Sequence, residues 1–370
     1  MKIAMIGQKG IPAHSGGVER HVEEIGERLV KLGHSVTVYC RKHYNSSFPS
    51  NYKGMKIKVI PTINTASLDA ISYTLLATLD ALKCGYDLIH YHAIGPASLV
   101  LLPYLLGKKT VVTVHGLDWQ RAKWGKIAKA YLKFGEFIAG NYSTKCILVS
   151  EALHGYFYEK YRDYDRFIVI PNGVNVEESY PPQMITDLGL KKDEYILFLA
   201  RLVPEKGCHY LIEAFKQLAT EKKLVIAGGS SHTDAYVDRL RELARDDNRI
   251  VFTGVVKDRL LNELYSHAYI YVLPSEIEGM PLTLLEAMSF GTFPLVSNIP
   301  ENVMVVGNNF GYQFENKNVE SLRKGLDYCL KNSEYIASKR KECREYVKNQ
   351  YDWDKIVIKL NEVYKGIIPE

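Results

Sequence analysis

Cysteine spacing of the kind that holds a metal or a disulfide framework is lacking in this sequence of 370 residues. No C-x-x-C pair occurs, and no cysteine stands near histidines at ligand spacing. The six cysteines are Cys40, Cys84, Cys146, Cys208, Cys329 and Cys343. Their scatter argues against a zinc site, a redox dithiol and a secreted disulfide scaffold.

Long apolar runs are also lacking. The most apolar stretch, residues 97–106, is about half as long as a membrane span and contains Pro103. The sequence enters a strand-like segment at residue 3 and shows no signal-peptide pattern. We therefore expect a cytoplasmic protein, with peripheral attachment to the inner membrane face as an alternative.

The composition that is present, 46% hydrophobic and 24% charged, is typical of a globular protein and excludes a disordered or fibrous chain. The net charge of +5 is uneven, because residues 1–180 carry 22 Lys and Arg against 15 Asp and Glu. A basic first half indicates an anionic partner, either nucleic acid or an anionic membrane. Two domains with different surfaces and no charged partner explain the asymmetry equally well.

Short apolar strands alternate with amphipathic helices along the chain, as in parallel α/β sheets. Strands are predicted at residues 2–6, 35–40, 88–90, 110–115, 146–150, 167–170, 195–200, 223–227, 249–253, 269–273 and 292–296. The pattern starts again after a loop at 174–183. We therefore expect an α/β protein with two Rossmann-like domains that face each other across a cleft. Their predicted bounds are 1–180 and 181–351, and a helix at about 352–370 packs back on the first.

The loop after the first strand, residues 7–17, ends in Gly16 and Gly17 at a helix start. It is not G-x-G-x-x-G, and Arg41 and Lys42 stand where a nicotinamide site has an acidic residue, so such a site is not expected. Glycines at a helix start allow an anion such as a phosphate to approach the free amides. A tight turn without a ligand is the alternative interpretation.

Two loops of the second half carry further candidates. Arg201 and Lys206 lie on one strand-to-helix loop, where two cations can converge on a diphosphate. Glu278 precedes a helix that starts near Pro281, and Glu286 lies within that helix. One carboxylate then faces a sugar and the other a ribose diol, with the helix N-terminus between them. Solvated surface residues are the alternative for both loops.

The segment PSEIEGMPLTLLEAMSFGTFPLVSN, with its E-x7-E spacing, resembles the donor site of family 4 retaining glycosyltransferases, which have the GT-B fold. GGVERHVEEIGERLVKLGHSVTVY, TVHGLDWQR, VIPNGV and LARLVPEKG are similar to further family segments in the expected order. The resemblance extends over nearly the whole chain. IGQKGIPAHSGGVER and HGLDWQRAKWGK further resemble a bacterial subgroup that includes rhamnosyl- and other glycosyltransferases of surface-polysaccharide assembly. Gly279-Met280-Pro281 departs from the Gly-Phe-Gly of many relatives and leaves the donor sugar open.

This resemblance implies roles for individual residues. The implied catalytic set is His115, Glu278, Arg201 and Lys206. The implied donor-binding set is Gly16, Gly17, Arg201, Lys206, Val256, Glu278, Gly279, Met280, Pro281, Leu282, Thr283 and Glu286. Asp118 and Arg121 are candidates for the acceptor. Glu278 would bind hydroxyls of the donor sugar, Glu286 the ribose, and the two cations the leaving diphosphate.

We therefore expect a retaining glycosyltransferase that moves a hexosyl unit from a UDP-, dTDP- or GDP-linked sugar to a glycan or lipid-linked acceptor in cell-surface polysaccharide synthesis. No metal or other cofactor is expected, because two cations and a helix terminus already face the diphosphate. Of the two anionic partners that the charge suggests, nucleic acid is not expected. Another enzyme on the same fold, such as a nucleotide-sugar epimerase or a glycosyl phosphorylase, and a non-catalytic sugar-nucleotide binder remain alternatives.

Residues 121–138, RAKWGKIAKAYLKFGEFI, interleave basic with large apolar side chains. As a helix, this segment is suited to an anionic membrane surface, where the charges meet headgroups and the apolar side chains enter the bilayer. An ordinary domain helix and a flank of the acceptor site are the alternatives.

Overall fold

The computed structural model describes residues 1–14, 16–63, 65, 68–121, 124–176, 178–231 and 233–368. The chain divides into two units, one formed by Met1–Gly173 with Trp353–Glu370 and the other by Val174–Asp352. The sequence placed this boundary slightly later, after residue 180. Lys123 of the predicted basic helix, residue 177 of the predicted linker and residues 369–370 of the predicted last helix lie outside the described residues.

The first unit is built on a sheet in which β1 lies centrally. Its strands are β1 (Lys2–Ile6), β2 (Ser35–Arg41), β3 (Asn51–Tyr52), β4 (Met55–Ile60), β5 (Leu88–His92), β6 (Lys109–Val114), β7 (Lys145–Leu148) and β8 (Phe167–Val169). Its helices up to Gly173 are α1 (Gly17–Lys31), α2 (Asp69–Lys83), α3 (Ile94–Ala97), α4 (Leu101–Leu105), α5 (Lys126–Tyr142) and α6 (Glu151–Tyr161). The strand order is β3-β4-β2-β1-β5-β6-β7-β8, parallel except for the short β3.

The second unit repeats the alternation on a parallel sheet. Its strands are β9 (Tyr195–Leu199), β10 (Lys223–Ala227), β11 (Ile250–Gly254), β12 (Ile270–Leu273), β13 (Phe293–Ser297) and β14 (Tyr312–Phe314). Its helices are α7 (Met184–Asp187), α8 (Cys208–Phe215), α9 (Asp234–Ala244), α10 (Asp258–His267), α11 (Leu282–Ser289), α12 (Pro300–Val306), α13 (Val319–Lys331) and α14 (Ser333–Gln350). The strand order β11-β10-β9-β12-β13-β14 makes β9 and β12 neighbours.

The last helix, α15 (Trp353–Ile367), belongs to the first unit. Asp354 accepts a hydrogen bond from Nε of Arg28 on α1 at 2.6 Å. Further along, Tyr364 is fully buried, and its hydroxyl lies 2.5 Å from Nδ1 of His90 on β5. The apolar face of α15 therefore completes the core of the first unit.

The central strands of both sheets are buried, as in parallel sheets covered on both faces. Ile3, Ala4, Met5 and Ile6 of β1 have no exposed surface, and the same holds for Tyr195, Ile196, Leu197 and Phe198 of β9. Ligands of such sheets bind beyond the carboxyl ends of the strands. The loops that follow β1, β5, β6, β9 and β12 are therefore where side chains are available for chemistry.

Most predicted strands are present within one or two residues of their expected ends. The 146–150 strand was predicted too long. Ser150 instead caps α6, and its hydroxyl accepts a hydrogen bond from the Leu153 amide at 3.3 Å. The predicted strands also do not include β3, β4 or β14. Among the described residues, no helix has both the length and the apolar character that crossing a bilayer requires.

Candidate active site

Two loops of the second unit, one after β9 and one after β12, are held against each other. The amide of Glu276 donates to the carbonyl of Glu205 at 2.9 Å. Gly207 has a positive φ of 68°, and a Cβ added there would lie 1.9 Å from the Pro274 carbonyl oxygen. Only glycine permits this approach, which brings the Arg201–Lys206 loop beside the Glu278 loop.

Lys206 and Glu278 form an ion pair through Nζ and Oε1. Both side chains are largely buried, with 15% and 8% of their surface exposed. The hydroxyl of Ser275 donates to the same Oε1 at 2.7 Å. Since both contacts fall on Oε1, the carboxylate is held in one orientation.

Ser275 is itself fixed from behind. It is fully buried, and its carbonyl oxygen accepts a hydrogen bond from the Ser297 hydroxyl at 2.5 Å. Nδ2 of Asn302 in turn donates to that hydroxyl at 3.0 Å. This buried polar chain from β13 and α12 holds the backbone next to Glu278, and the sequence interpretation did not include it.

Glu286 has a separate support. The hydroxyl of Tyr265 on α10 donates to its Oε2 at 3.0 Å. Burial raises the pKa of Tyr265 well above its ordinary value, so the phenol stays protonated and remains a donor. Its ring stacks on Phe290 at 5.9 Å between centroids. Tyr265 is a second contributor that the sequence reading missed.

The helix that carries Glu286 begins at Leu282, and Pro281 precedes it in an extended conformation. The amides of Leu282 and Thr283 lie in its first turn, where helical amides have no partner within the helix. Pro281 carries no N–H, so it shapes the helix start rather than donating to a ligand. The hydroxyl of Tyr271 lies 2.8 Å from Oγ1 of Thr283 and donates to the Leu199 carbonyl at 3.1 Å.

The remaining candidates of the second unit lie at the same edge of its sheet. Arg201 is half-buried and follows β9 by two residues. Met280 is 7% exposed, whereas Gly279 is half-buried. Val256 is half-buried in the loop between β11 and α10, next to the exposed Val255. The common edge is the one at which parallel sheets bind ligands.

In the first unit, Gly16 precedes α1 with a φ of 101°, and Gly17 is its first residue. This positive φ favours glycine, and a Cβ there would also displace Oε2 of Glu19, which lies 2.2 Å from its position. The other oxygen of Glu19 accepts a hydrogen bond from the Lys9 amide at 2.9 Å. The loop after β1 is therefore closed on the helix start by a buried carboxylate.

His115 follows β6 directly and joins a group of histidines. Its Nε2 lies 3.4 Å from Nδ1 of His92, the last residue of β5. Its ring centroid is 4.7 Å from that of His21 on α1. Burial, and then the charges of His21 and His90, hold the pKa of His115 well below its usual range. The imidazole is therefore neutral at neutral pH.

The acceptor candidates Asp118 and Arg121 pair with each other at 3.2 Å in and after a short turn. Neighbouring Trp119 donates from Nε1 to Glu136 at 2.6 Å. Glu136 on α5 is fully buried, and it also accepts hydrogen bonds from Tyr156 at 3.0 Å and Tyr161 at 2.9 Å. The carboxylate thus anchors the turn to the unit.

Two D-x-D triplets occur in the chain, at residues 163–165 and 352–354, and carboxylates can hold a divalent cation. Asp163 accepts from Nε of Arg166 at 2.9 Å, and Asp354 accepts from Nε of Arg28 at 2.6 Å. Each of these two carboxylates is therefore engaged in an ion pair, and we assign neither triplet to a metal.

Comparison with known families identifies the chain. Residues 15–178 match the model for Glycosyltransferase Family 4, and residues 183–350 match that for Glycosyl transferases group 1. A UDP-Gal:alpha-D-GlcNAc-diphosphoundecaprenol alpha-1,3-galactosyltransferase of Escherichia coli is 30% identical over 301 residues, 77% of each chain. The chain belongs to glycosyltransferase family 4. An uncharacterised glycosyltransferase of Methanocaldococcus jannaschii is 28% identical and covers 99% of this glycosyltransferase and 98% of its own length.

Solved structures confirm the GT-B fold expected from the sequence. Sucrose-phosphate synthase from Thermosynechococcus elongatus matches with a TM-score of 0.84 at 22% identity, over 99% of this glycosyltransferase and 98% of that chain. HepE from Anabaena, in complex with UDP and glucose, matches with a TM-score of 0.83 at 18% identity, over 99% of this glycosyltransferase and 100% of the HepE chain. The family and the fold predicted from the motifs are thus correct.

Proposed function

We propose that this glycosyltransferase moves a hexosyl unit from a nucleoside-diphosphate sugar to a sugar hydroxyl, with retention of the anomeric configuration. The observation that carries the proposal is the largely buried ion pair between Lys206 and Glu278. It joins the loop after β9 to the loop after β12 at the carboxyl edge of the sheet. A cation suits the diphosphate and a carboxylate suits the sugar hydroxyls. Because Lys206 and Glu278 are in contact, one donor molecule can place its diphosphate at the lysine and its sugar at the carboxylate.

In the proposed reaction, the bond between the anomeric carbon and the phosphate oxygen breaks, and negative charge develops on that oxygen. Arg201, Lys206 and the first amides of α11 stabilise this charge. The acceptor hydroxyl attacks from the same face, and its proton passes to the departing phosphate oxygen. Glu278 binds donor hydroxyls through Oε2, while Oε1 stays with Ser275.

The other proposed donor contacts follow from the same placement. Glu286, oriented by Tyr265, binds the ribose diol, and Val256 lies next to the base. From the first unit we assign the neutral imidazole of His115 to the donor sugar and the amide of Gly17 to the phosphate. No metal is needed for this chemistry, because the cations and the helix start supply the positive charge.

The relatives suggest which donors and acceptors to test first. The relative from Escherichia coli is named for UDP-Gal and for a diphosphoundecaprenol-linked sugar, and HepE has been solved with UDP-glucose. We propose a uridine, thymidine or guanosine diphosphate sugar as donor. The proposed acceptor is a glycan or lipid-linked sugar of cell-surface polysaccharide synthesis at the cytoplasmic face of the membrane.

The surface of the first unit supports a membrane-linked acceptor. Ile127, Phe134 and Phe137 on α5 are 89%, 48% and 47% exposed, although Leu132 and Ile138 of the same helix are buried. The helix thus serves both the core and an outward apolar surface. Lysines 126, 129 and 133 on the same helix suit anionic headgroups, each at about 1 kcal/mol before screening by salt.

The direct test is incubation of the full chain with UDP-, dTDP- and GDP-linked hexoses and a lipid-linked sugar acceptor. We expect release of one nucleoside diphosphate and an acceptor product whose anomeric configuration, read by NMR, equals that of the donor. Isomerised donor would support the epimerase, and a phosphate-dependent product the phosphorylase. An inverted product would overturn retention.

Two variants test the donor site within that assay. Glu286→Gln should raise the donor KM more than it lowers kcat, whereas Glu278→Gln should lower kcat more than it changes KM. Glu242→Gln, an exposed change on α9, is the matched control. Full activity in both site variants would refute the assignment.

A further inference from the structure

We propose that the first unit binds a transition-metal ion of the Zn²⁺ class through the imidazoles of His21, His92 and His115. Three segments distant in the sequence supply them: α1, the carboxyl end of β5 and the residue after β6. One potential ligand atom from each side chain lies within 4.8 Å of the other two. Sequence spacing does not reveal such a group, because the parallel pairing of β5 with β6 creates it.

The nitrogens of these side chains are short of other partners. Nε2 of His21 and Nε2 of His92 are buried, and neither has a hydrogen-bond partner among the residues that the structure describes. Buried polar atoms without partners cost free energy, and native proteins seldom leave them so. For His21, the unpartnered Nε2 is the atom that an ion would bind. His92 turns Nδ1 towards His115, so a shared ion would bind that nitrogen and Nε2 of His92 would carry the ring hydrogen.

Asn172 sets the tautomer of His21. Its Oδ1 lies 2.8 Å from Nδ1 of His21, and a carbonyl oxygen only accepts, so the hydrogen of the neutral ring is on Nδ1. The lone pair is then on Nε2, the atom without a partner. A second group that holds the far nitrogen of a histidine is the usual support of a metal ligand.

The spacing of the other two histidines agrees with a shared ion. A tetrahedral Zn²⁺ bound at about 2.0–2.1 Å places its ligand nitrogens about 3.4 Å apart. Nδ1 of His92 and Nε2 of His115 are 3.4 Å apart, a distance that is long for a hydrogen bond. Two nitrogens at this distance are therefore placed to bind the same metal ion.

The ligand chemistry selects the class of metal. Three neutral imidazoles without a carboxylate suit Zn²⁺, Co²⁺ or Ni²⁺ rather than Mg²⁺ or Ca²⁺. Three protein ligands leave a fourth position open for water or a small anion. His115 is half-buried, whereas His21 and His92 are buried.

Such an ion would act against transfer and would not be its cofactor. Binding takes up a nitrogen of His115, the residue that we assign to the donor sugar, so the filled site inhibits. This consequence rests on the proposed function, whereas metal binding itself does not. The two can therefore fail separately.

The experiment titrates the metal-free full chain with Co²⁺ and then displaces it with Zn²⁺. We expect one ion per chain with the intense visible absorption of four-coordinate Co²⁺. His21→Gln, His92→Gln and His115→Gln should each weaken binding by more than the about 10- to 100-fold expected for the supporting change Asn172→Leu. Equal affinity in wild type and all three variants would overturn the proposal.

His90→Gln is the matched control, because His90 is equally buried and its ring lies 4.1 Å from that of His92. Both of its nitrogens have partners, the hydroxyls of Tyr364 at 2.5 Å and of Thr113 at 2.7 Å. The affinity of the His90→Gln variant for Co²⁺ should stay within about threefold of the wild-type value. A loss equal to that of the ligand variants would indicate disrupted packing and would count against the site.

Wild-type crystals soaked in zinc provide a test that needs no variant. An anomalous peak bonded to nitrogens of His21, His92 and His115 supports the site, and peaks elsewhere only would refute it. In the transfer assay, zinc should inhibit and a chelator should restore the rate. If no transfer occurs with any donor, the proposed function fails, and the Co²⁺ titration still decides the metal site.

Discussion

Tyr265 donates its hydroxyl hydrogen to Oε2 of Glu286 over 3.0 Å, from one helix of the second unit to another. The ring is 1% exposed, and Thr292 binds the backbone carbonyl of Tyr265 through its hydroxyl. A buried phenol in a fixed place gives a flexible carboxylate one orientation. The side chain that we propose as the ribose contact is thus oriented before a donor binds.

Tyr265→Phe should therefore weaken donor binding without affecting the fold. Loss of one hydrogen bond to a charged group, about 1.5–3 kcal/mol, should raise the donor KM about 10- to 100-fold, with a smaller change in kcat. Tyr269→Phe removes the hydroxyl of another buried tyrosine, which donates to the Cys329 carbonyl at 2.5 Å, and is the control. Equal KM values in wild type and Tyr265→Phe would contradict the positioning role.

Lys206→Met should slow transfer through loss of charge at the leaving group. A single charge-assisted contact accounts for about 1.5–3 kcal/mol, so kcat should fall about 10- to 100-fold. Lys317→Met is the matched control. Lys317 pairs at 2.7 Å with Glu276, which lies on the same loop as Glu278, but the Lys317 side chain is 56% exposed. Steady-state rates with saturating donor make the comparison, and equal losses would point to a general loop effect.

Transfer should survive exhaustive chelation, because the proposed reaction draws its positive charge from the protein. We expect the rate in chelator to equal or exceed that of the untreated enzyme. The rate with Mg²⁺ or Mn²⁺ added back should be the same. A complete loss that either ion reverses would show that a metal takes part in the chemistry.

Glu263 on α10 should make the second unit sensitive to acid. One of its oxygens accepts the amides of Gln183, Met184 and Ile185 at 2.7–3.2 Å. Burial tends to raise the pKa of this carboxyl, but these amides and Arg259 hold it below its ordinary 4.5. A folded-state pKa below the unfolded value gives stability that is present above pH 4.5 and lost as the pH falls through the folded pKa.

Glu263→Gln should accordingly lower the free energy of unfolding by about 1.5–3 kcal/mol at neutral pH. Its difference from wild type should shrink as the pH falls below 4.5 and through the lower folded-state pKa, where the wild-type carboxylate takes up a proton. Urea unfolding as a function of pH measures this, with Glu242→Gln at an exposed position of α9 as control. A difference that does not change with pH would assign the effect to shape and not to charge.

Sedimentation with vesicles tests the membrane surface of the first unit. We expect binding to anionic vesicles that weakens as salt rises to the physiological level, and little binding to neutral vesicles. Replacing the exposed Ile127 and Phe134 with Ser should reduce binding to anionic vesicles. Val255→Ser, at an exposed apolar position of the second unit, should leave that binding unchanged. Equally weak binding to both vesicle types would remove the membrane contact and leave the transferase proposal intact.

The sequence by itself determined the alternating α/β architecture, most strand positions and the family. Apolar runs of four to six residues between amphipathic helical segments predict the buried parallel strands. The E-x7-E segment and the glycines at helix starts are local patterns, so the sequence alone offers Glu278, Glu286, Gly16 and Gly17 as candidate site residues.

Contacts between distant segments were decided only by the tertiary structure. Tyr265 reaches Glu286 from another helix, Ser275 is backed by Ser297 and Asn302, and the three histidines meet because β5 and β6 lie side by side. A single sequence shows only which residues are close along the chain. The residues that meet in these contacts come from separate segments. Side-chain partners across a sheet depend on strand order and register, which the fold fixes through burial of the whole core.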